Sequence, residues 1–248
     1  MNEVEPPEPP ARSPEPLTIP RLVALIEVIL CSDYPTQIAL GVTLHLAGVS
    51  PLDRSGRLSL GYVVALSLAD TVLLVGLIVF FLRSHGERLR DVFLGPRPVA
   101  GELRLGAQLS VVALVLGIAV LSVIQTVPGL HNVARNPLQD LIQDPRRAGV
   151  FAVVVVVAGG VREEIQRAFL LHRFSVWLGG GTVGLIVGSI AFGAGHLVQG
   201  YDAVIATGVL GVFWGIIYLQ RKSVVAPIVS HSGFNLLQLL QYLVFVKP

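Results

Sequence analysis

The sequence predicts an all-α fold: a polytopic membrane bundle of about seven to eight transmembrane helices. Three observations predict it. Hydrophobic residues make up 53% of the 248, and the mean hydropathy is +0.72. Charged residues are only 14%, against roughly 25% in soluble domains. Apolar stretches then recur along the chain, each near the roughly 20 residues that a spanning helix needs.

In chain order, residues 1–19 hold six of the sixteen prolines, with Glu3, Glu5, Glu8 and Glu15 between them. Such a segment buries no core, so a disordered cytoplasmic tail is expected. It lacks the basic and then apolar pattern of a signal peptide. Residues 20–147 are expected to hold N-terminal transmembrane helices and polar loops, and 148–248 a transmembrane core. Spans are expected at 22–47, 60–82, 104–127, 148–172, 182–199, 203–220 and 224–245. The polar run Cys31 to Gln37 interrupts the first, and Pro35 is expected to kink or split it. Residues 128–147 form a polar loop.

Arginines cluster at Arg83, Arg88, Arg90 and Arg97, at Arg173, and at Arg221 with Lys222. Cytoplasmic placement of these loops puts the N-terminus inside and the C-terminus outside. Arg135, Arg146 and Arg147 then lie on the opposite side. Small residues spaced by four (Gly184 and Gly188, Ala191 and Gly195, Gly211 and Gly215) suit close helix packing in lipid.

Other classes are set aside on composition. The net charge is +2, and no Lys/Arg run exceeds two residues, so no nucleic-acid surface is expected. The single Cys31 allows neither an intramolecular disulfide nor a cysteine-based zinc site. It reads as a small apolar helix residue.

The chemistry concentrates late in the chain. Eleven apolar or glycine residues from Phe151 lead into Arg162, Glu163, Glu164 and Arg167. One charge near the bilayer centre costs roughly 2.5–3.5 kcal/mol on insertion scales, so a cluster of four is rarely idle. Glu163 and Arg167 stand at i and i+4 and are expected to pair. Glu164 is rotated by about 100° from Glu163, so one carboxylate can pair while the other faces a polar cavity. His196 follows Phe192 by four residues, with Gly193 and Gly195 between. His231 and Asn235 again stand at i and i+4. Three helices can thus bring a carboxylate, two imidazoles and an amide to one site.

A Glu shielded from water can act as general base, beside a His that orients the water. A His and an Asn one turn apart can donate to an oxyanion. Alternatively, Glu163, His196 and His231 form a His₂Glu set able to hold zinc. Taken singly, each group is equally explained by packing or interhelical hydrogen bonds. Asp70, His45, His85, His131 and His172 are read as structural, and Trp177, Trp214 and Tyr201 as interfacial or packing aromatics.

These residues resemble the CPBP intramembrane proteases, which include the CAAX prenyl proteases and the Abi group of bacteriocin-processing or immunity proteins. The family carries a paired-Glu motif ending in Arg, then Phe-x-x-x-His, then His-x-x-x-Asn. Here these read Glu163 to Arg167, Phe192 to His196, and His231 to Asn235. The resemblance spans roughly 148–240. One departure stands out: the family has three residues between the second Glu and the Arg, whereas only Ile165 and Gln166 intervene here. Either Arg167 has moved one position closer, which is the register favoured, or Arg162 replaces the first Glu.

The resemblance implies an intramembrane endopeptidase acting on a prenylated, leader or other membrane-associated peptide in a bacterial inner membrane. The candidate catalytic group is Glu163, Glu164, His196, His231 and Asn235, supported by Arg167 and Phe192. Glu163 would activate water, aided by His196, and His231 with Asn235 would form the oxyanion site. Direct glutamate-dependent hydrolysis is favoured over zinc. A catalytically inactive scaffold or immunity protein and a proton-coupled transporter are the alternatives.

Overall fold

The structure, a computed structural model, describes residues 20–130, 132–133 and 136–246. The Pro/Glu-rich segment 1–19, His131 and Arg135 lie outside the described residues.

The chain is helical almost throughout, with ten α-helices among the described residues. These are α1 (Arg21–Leu30), α2 (Tyr34–Leu46), α3 (Leu60–Ser84), α4 (Leu89–Phe93), α5 (Val99–Ile124), α6 (Pro145–Val154), α7 (Glu163–Trp177), α8 (Gly181–Ala194), α9 (Tyr201–Arg221) and α10 (Val225–Gln241). A π-helical segment, Val155–Arg162, joins α6 to α7. Another, Tyr242–Val246, follows α10.

Local chemistry sets several of these boundaries. Ser59 caps α3 by accepting from the Tyr62 amide, and Asp144 caps α6 by accepting from Arg147, with Pro145 in the first turn. Lys222 closes α9 in the left-handed conformation. The expected break at Pro35 divides the first apolar stretch into α1 and α2, bent by 42°. Cys31, buried at that break, has its carbonyl bonded by Gln166.

The expectation of seven to eight spans is not confirmed. Three helices, α3, α5 and α9, are long and apolar enough to cross a membrane, and the bent α1–α2 pair makes up to four. The reason is physical. α8 has 14 residues and α10 has 17, whereas α7 carries acids and arginines. α7 is enclosed by protein: its Phe169, Leu171, Glu164 and Arg173 are all buried. Lipid-type exposure falls on α3, α5 and α8, as at Val72, Val115 and Ile190.

The helices that position the site meet through small residues. α10 packs along α5 and against the π-segment, and α8 along α9. A Cβ on Gly160 would collide with the Ser232 hydroxyl and lie 3.2 Å from its Cα. A Cβ on Gly159 would lie 2.8 Å from the Asn235 amide nitrogen. The glycine pair therefore sets how near the motif helix α10 comes to the start of α7. Gly160→Val is expected to destabilise the protein by about 1–3 kcal/mol through overpacking, read as a lower Tm in detergent. Because Ser232 adjoins His231, the same change should also slow any chemistry that depends on His231.

Candidate active site

α7 is the centre of the site. It enters from a π-segment, a geometry that often accompanies functional positions, and it places its two acids on different sides. Glu164 is 1% exposed. Its Oε1 accepts from Arg167 and from His231 Nδ1, the latter at 2.8 Å. The pairing expected at i and i+4 between Glu163 and Arg167 is thus replaced by an i, i+3 pair with Glu164. Arg side chains reach both neighbours on a helix. Here Glu163 is engaged elsewhere, 3.3 Å from Arg162 Nη2 and 3.8 Å from His231 Nε2.

Glu163 faces a cavity of about 420 Å³ between α2, α7 and α8. Arg167, Phe192 and His196 line the same cavity, as do Asp33, Tyr34, Gln37 and Gln166. His196 follows the end of α8, and its Nδ1 lies 2.9 Å from the Phe192 carbonyl. A carbonyl only accepts, so Nδ1 donates, which leaves Nε2 as the nitrogen free to face the cavity. The Arg167 guanidinium sits 4.6 Å over the Phe192 ring, a cation–π contact that fixes its height in the cavity wall.

His231 lies behind this wall. It is 4% exposed and stacked on Trp214 at 3.7 Å. Trp214, read from sequence as a packing aromatic, is buried and donates to Ser230. Glu164 and Trp214 together fix the imidazole with Nδ1 donating and Nε2 turned towards Glu163. Asn235 goes elsewhere: its Nδ2 donates to the Val155 carbonyl at 3.2 Å, on the π-segment. It does not line the cavity. The structure therefore gathers Glu163, Arg167, Phe192 and His196 at the cavity, Glu164 and His231 directly behind it, and Asn235 along the helix interface.

The same geometry tests the zinc alternative. Among the described residues, no three His, Cys, Asp or Glu side chains are grouped so as to hold a metal ion. Of the His₂Glu set, His231 turns its Nε2 towards Glu163 at 3.8 Å, while His196 stands on the cavity side. Glu163, His196 and His231 are thus not gathered as three metal ligands among the described residues.

Sequence reasoning missed Asp33, Tyr34, Gln37 and Gln166 as cavity residues. A signal was present, since the polar run at 31–37 sits inside an otherwise apolar stretch. It reads as a kink, but its side chains also form one wall of the cavity. Asp70, read as structural, is fully buried and pairs with Arg162.

A second buried charge cluster braces the far end of α7. Arg173 donates to Glu27 at 2.6 Å and to Glu87 at 2.5 Å. His85 contacts Glu27, and His172 contacts Glu87. Burial pushes the Glu87 carboxyl up, but the His172 hydrogen bond and the Arg173 charge outweigh it and hold the group below the usual carboxylate range. A depressed folded value contributes stability that is present above the ordinary carboxylate value and lost as pH falls through the folded one. The Tm in detergent is expected to fall on acidification below the ordinary Glu range, and Glu87→Gln should lessen that fall.

Fold and site define a helical membrane protein with a carboxylate–imidazole cavity between its helices. Residues 145–237 match the family model described as Rce1-like, type II CAAX prenyl endopeptidase. The match falls on the three motifs and agrees with the family they resemble. With the apolar helices, it supports an integral membrane hydrolase, a CAAX-type intramembrane endopeptidase in general. No curated protein and no solved structure matches the chain.

Proposed function

We propose that the chain is an intramembrane endopeptidase that hydrolyses a peptide bond of a membrane-associated, prenylated peptide, with Glu163 as general base. The observation that carries this reading is the split of the two acids. Glu164 is consumed by Arg167 and His231, whereas Glu163 stands on the cavity with His196 on the same wall. The setting is a multi-pass protein of a bacterial inner membrane, with the site in the core at 148–248.

The chemistry follows from the cavity. Glu163 takes a proton from a water, whose oxygen attacks the scissile carbonyl carbon. His196 Nε2 orients that water. The oxyanion develops towards Arg167, whose guanidinium keeps N–H groups beyond the one on Glu164. The C–N bond then breaks, and the proton held on Glu163 passes to the departing amine. His231, fixed by Glu164 and Trp214, backs Glu163 and holds it facing the cavity. In this geometry the oxyanion role moves from His231 and Asn235 to Arg167, because Arg167 lines the cavity and neither His231 nor Asn235 does. The prenyl group fits the apolar part of the cavity, beside Leu170, Leu171 and Leu185. The register in which Glu163 and Glu164 are the pair is favoured, since the closer Arg167 still reaches Glu164.

The test is cleavage of a prenylated C-terminal peptide by the purified protein in vesicles. His196→Ala is expected to slow it by about 10²-fold or more. A strong chelator is expected to leave the wild-type rate unchanged. Unaltered cleavage by His196→Ala removes that residue from the mechanism.

A further inference from the structure

Arg162 is the cation nearest the base, and it is shared. Its Nη1 donates to Asp33 Oδ1 at 2.9 Å and to Asp70 Oδ2, while Nη2 stands 3.3 Å from Glu163 Oε1. Arg162 and Asp70 are almost fully buried, at 5% and 0% exposed. Asp33 comes from the break between α1 and α2, and Asp70 from the middle of α3. Three carboxylates thus compete for one guanidinium, and the longest of the three contacts is the one to Glu163.

The competition has a chemical consequence. An acid locked in a short, charge-assisted pair with arginine is a poor proton acceptor. Glu163 must accept a proton to activate water. We propose that Asp33 and Asp70 are positioning residues that anchor Arg162 away from Glu163 and keep that carboxylate available as a base. This rests on the reading of Glu163 given above.

The backbone at Asp33 supports a built feature. Its φ is +79°, in the left-handed region that non-glycine residues seldom adopt and that costs of order 1–3 kcal/mol. The turn is held from several sides: Gln37 Nε2 donates to Asp33 Oδ2 at 2.6 Å, and the Asp33 carbonyl accepts from Thr36 and from the Gln37 amide. The strained turn aims the carboxylate at a guanidinium 129 residues away in sequence. The other charged or titratable groups about Glu163 are Glu164 and Arg167 on its own helix, His231 from α10, and Tyr34 and His196 on the cavity wall.

The test uses the full chain in vesicles and a cleavage assay on a prenylated peptide. Asp33→Asn is chosen because Asn tolerates the left-handed backbone. It is expected to slow cleavage by about tenfold or more through kcat, with the Tm near wild type. Adding Asp70→Asn and Arg162→Gln removes the captured cation, and this triple variant is expected to recover most of the lost rate. A purely structural role for Asp33 predicts no such recovery. If the triple variant does not fold, Asp33→Asn and Asp70→Asn with Arg162→Met gives the same comparison, since methionine keeps the stem and drops the charge.

Wild-type cleavage by Asp33→Asn overturns the proposal. So does a folded charge-depleted variant no faster than Asp33→Asn alone. Failure of the wild-type protein to cleave overturns the protease reading instead, which separates the two.

Discussion

Glu163→Gln is expected to lower kcat for peptide cleavage by about 10²- to 10⁴-fold, the range for loss of a general base. KM should change little, because an interaction made in the transition state is what is removed. The substitution keeps the side-chain shape, and the amide oxygen can still accept from Arg162, which now lies 3.3 Å from the carboxylate. The fold should therefore survive. The neighbouring acid gives the contrast. Glu164 is buried and holds both Arg167 and His231, so Glu164→Gln should lower Tm as well as rate. A kinetic loss without a stability loss at 163, and both losses at 164, is the pattern that follows from the split of the two acids. It is read by pairing cleavage rates with thermal unfolding of each variant.

The largest stability loss is expected at the opposite end of the same helix. Glu27 is 1% exposed and Arg173 is fully buried, with the Arg173 Nε on Glu27 at 2.6 Å. Glu27→Ala leaves the guanidinium with Glu87 alone and deprives His85 of its carboxylate. Breaking a buried ion pair from one side costs about 3–5 kcal/mol, because a charge is left uncompensated. Replacing both partners together, as Glu27→Leu with Arg173→Met, should recover much of that loss, since the cost lies in the orphaned charge. Unfolding in detergent micelles measures both. The effect also reaches the cavity. This pair pins α1 to α7, and α1 leads directly into Asp33 and Tyr34 on the cavity wall.

Much of this site could be read from the sequence. The helical class follows from hydropathy, and the three motifs stand out because acids, imidazoles and an amide interrupt apolar runs. The 100° rotation between Glu163 and Glu164 puts the two acids in different surroundings, one with Arg167 and one on the cavity. What it cannot give is which is which. Arg167 has both acids within reach along the helix, and the choice falls to Glu164 because His231, from another helix, meets it there. Asn235 shows the same limit. Its partner is a carbonyl of the π-segment, a backbone form without a sequence signature. Asp70 joins the site only through Arg162, and Asp33, itself on the cavity wall, meets the same guanidinium, at separations of 92 and 129 residues. The number of spans is not confirmed, because length and mean hydropathy do not distinguish a helix facing lipid from one, like α7, that is enclosed by protein.

The measurement that bears most directly on the central claim is product analysis in isotopic water. The wild-type chain, purified into vesicles, is incubated with a farnesylated C-terminal peptide in H₂¹⁸O, and the products are weighed by mass spectrometry. The account predicts a single internal cut, with one ¹⁸O in the new carboxylate of the prenylated fragment and no such product from Glu163→Gln. Intact peptide with the wild-type chain, or the same labelled product from Glu163→Gln, would contradict it.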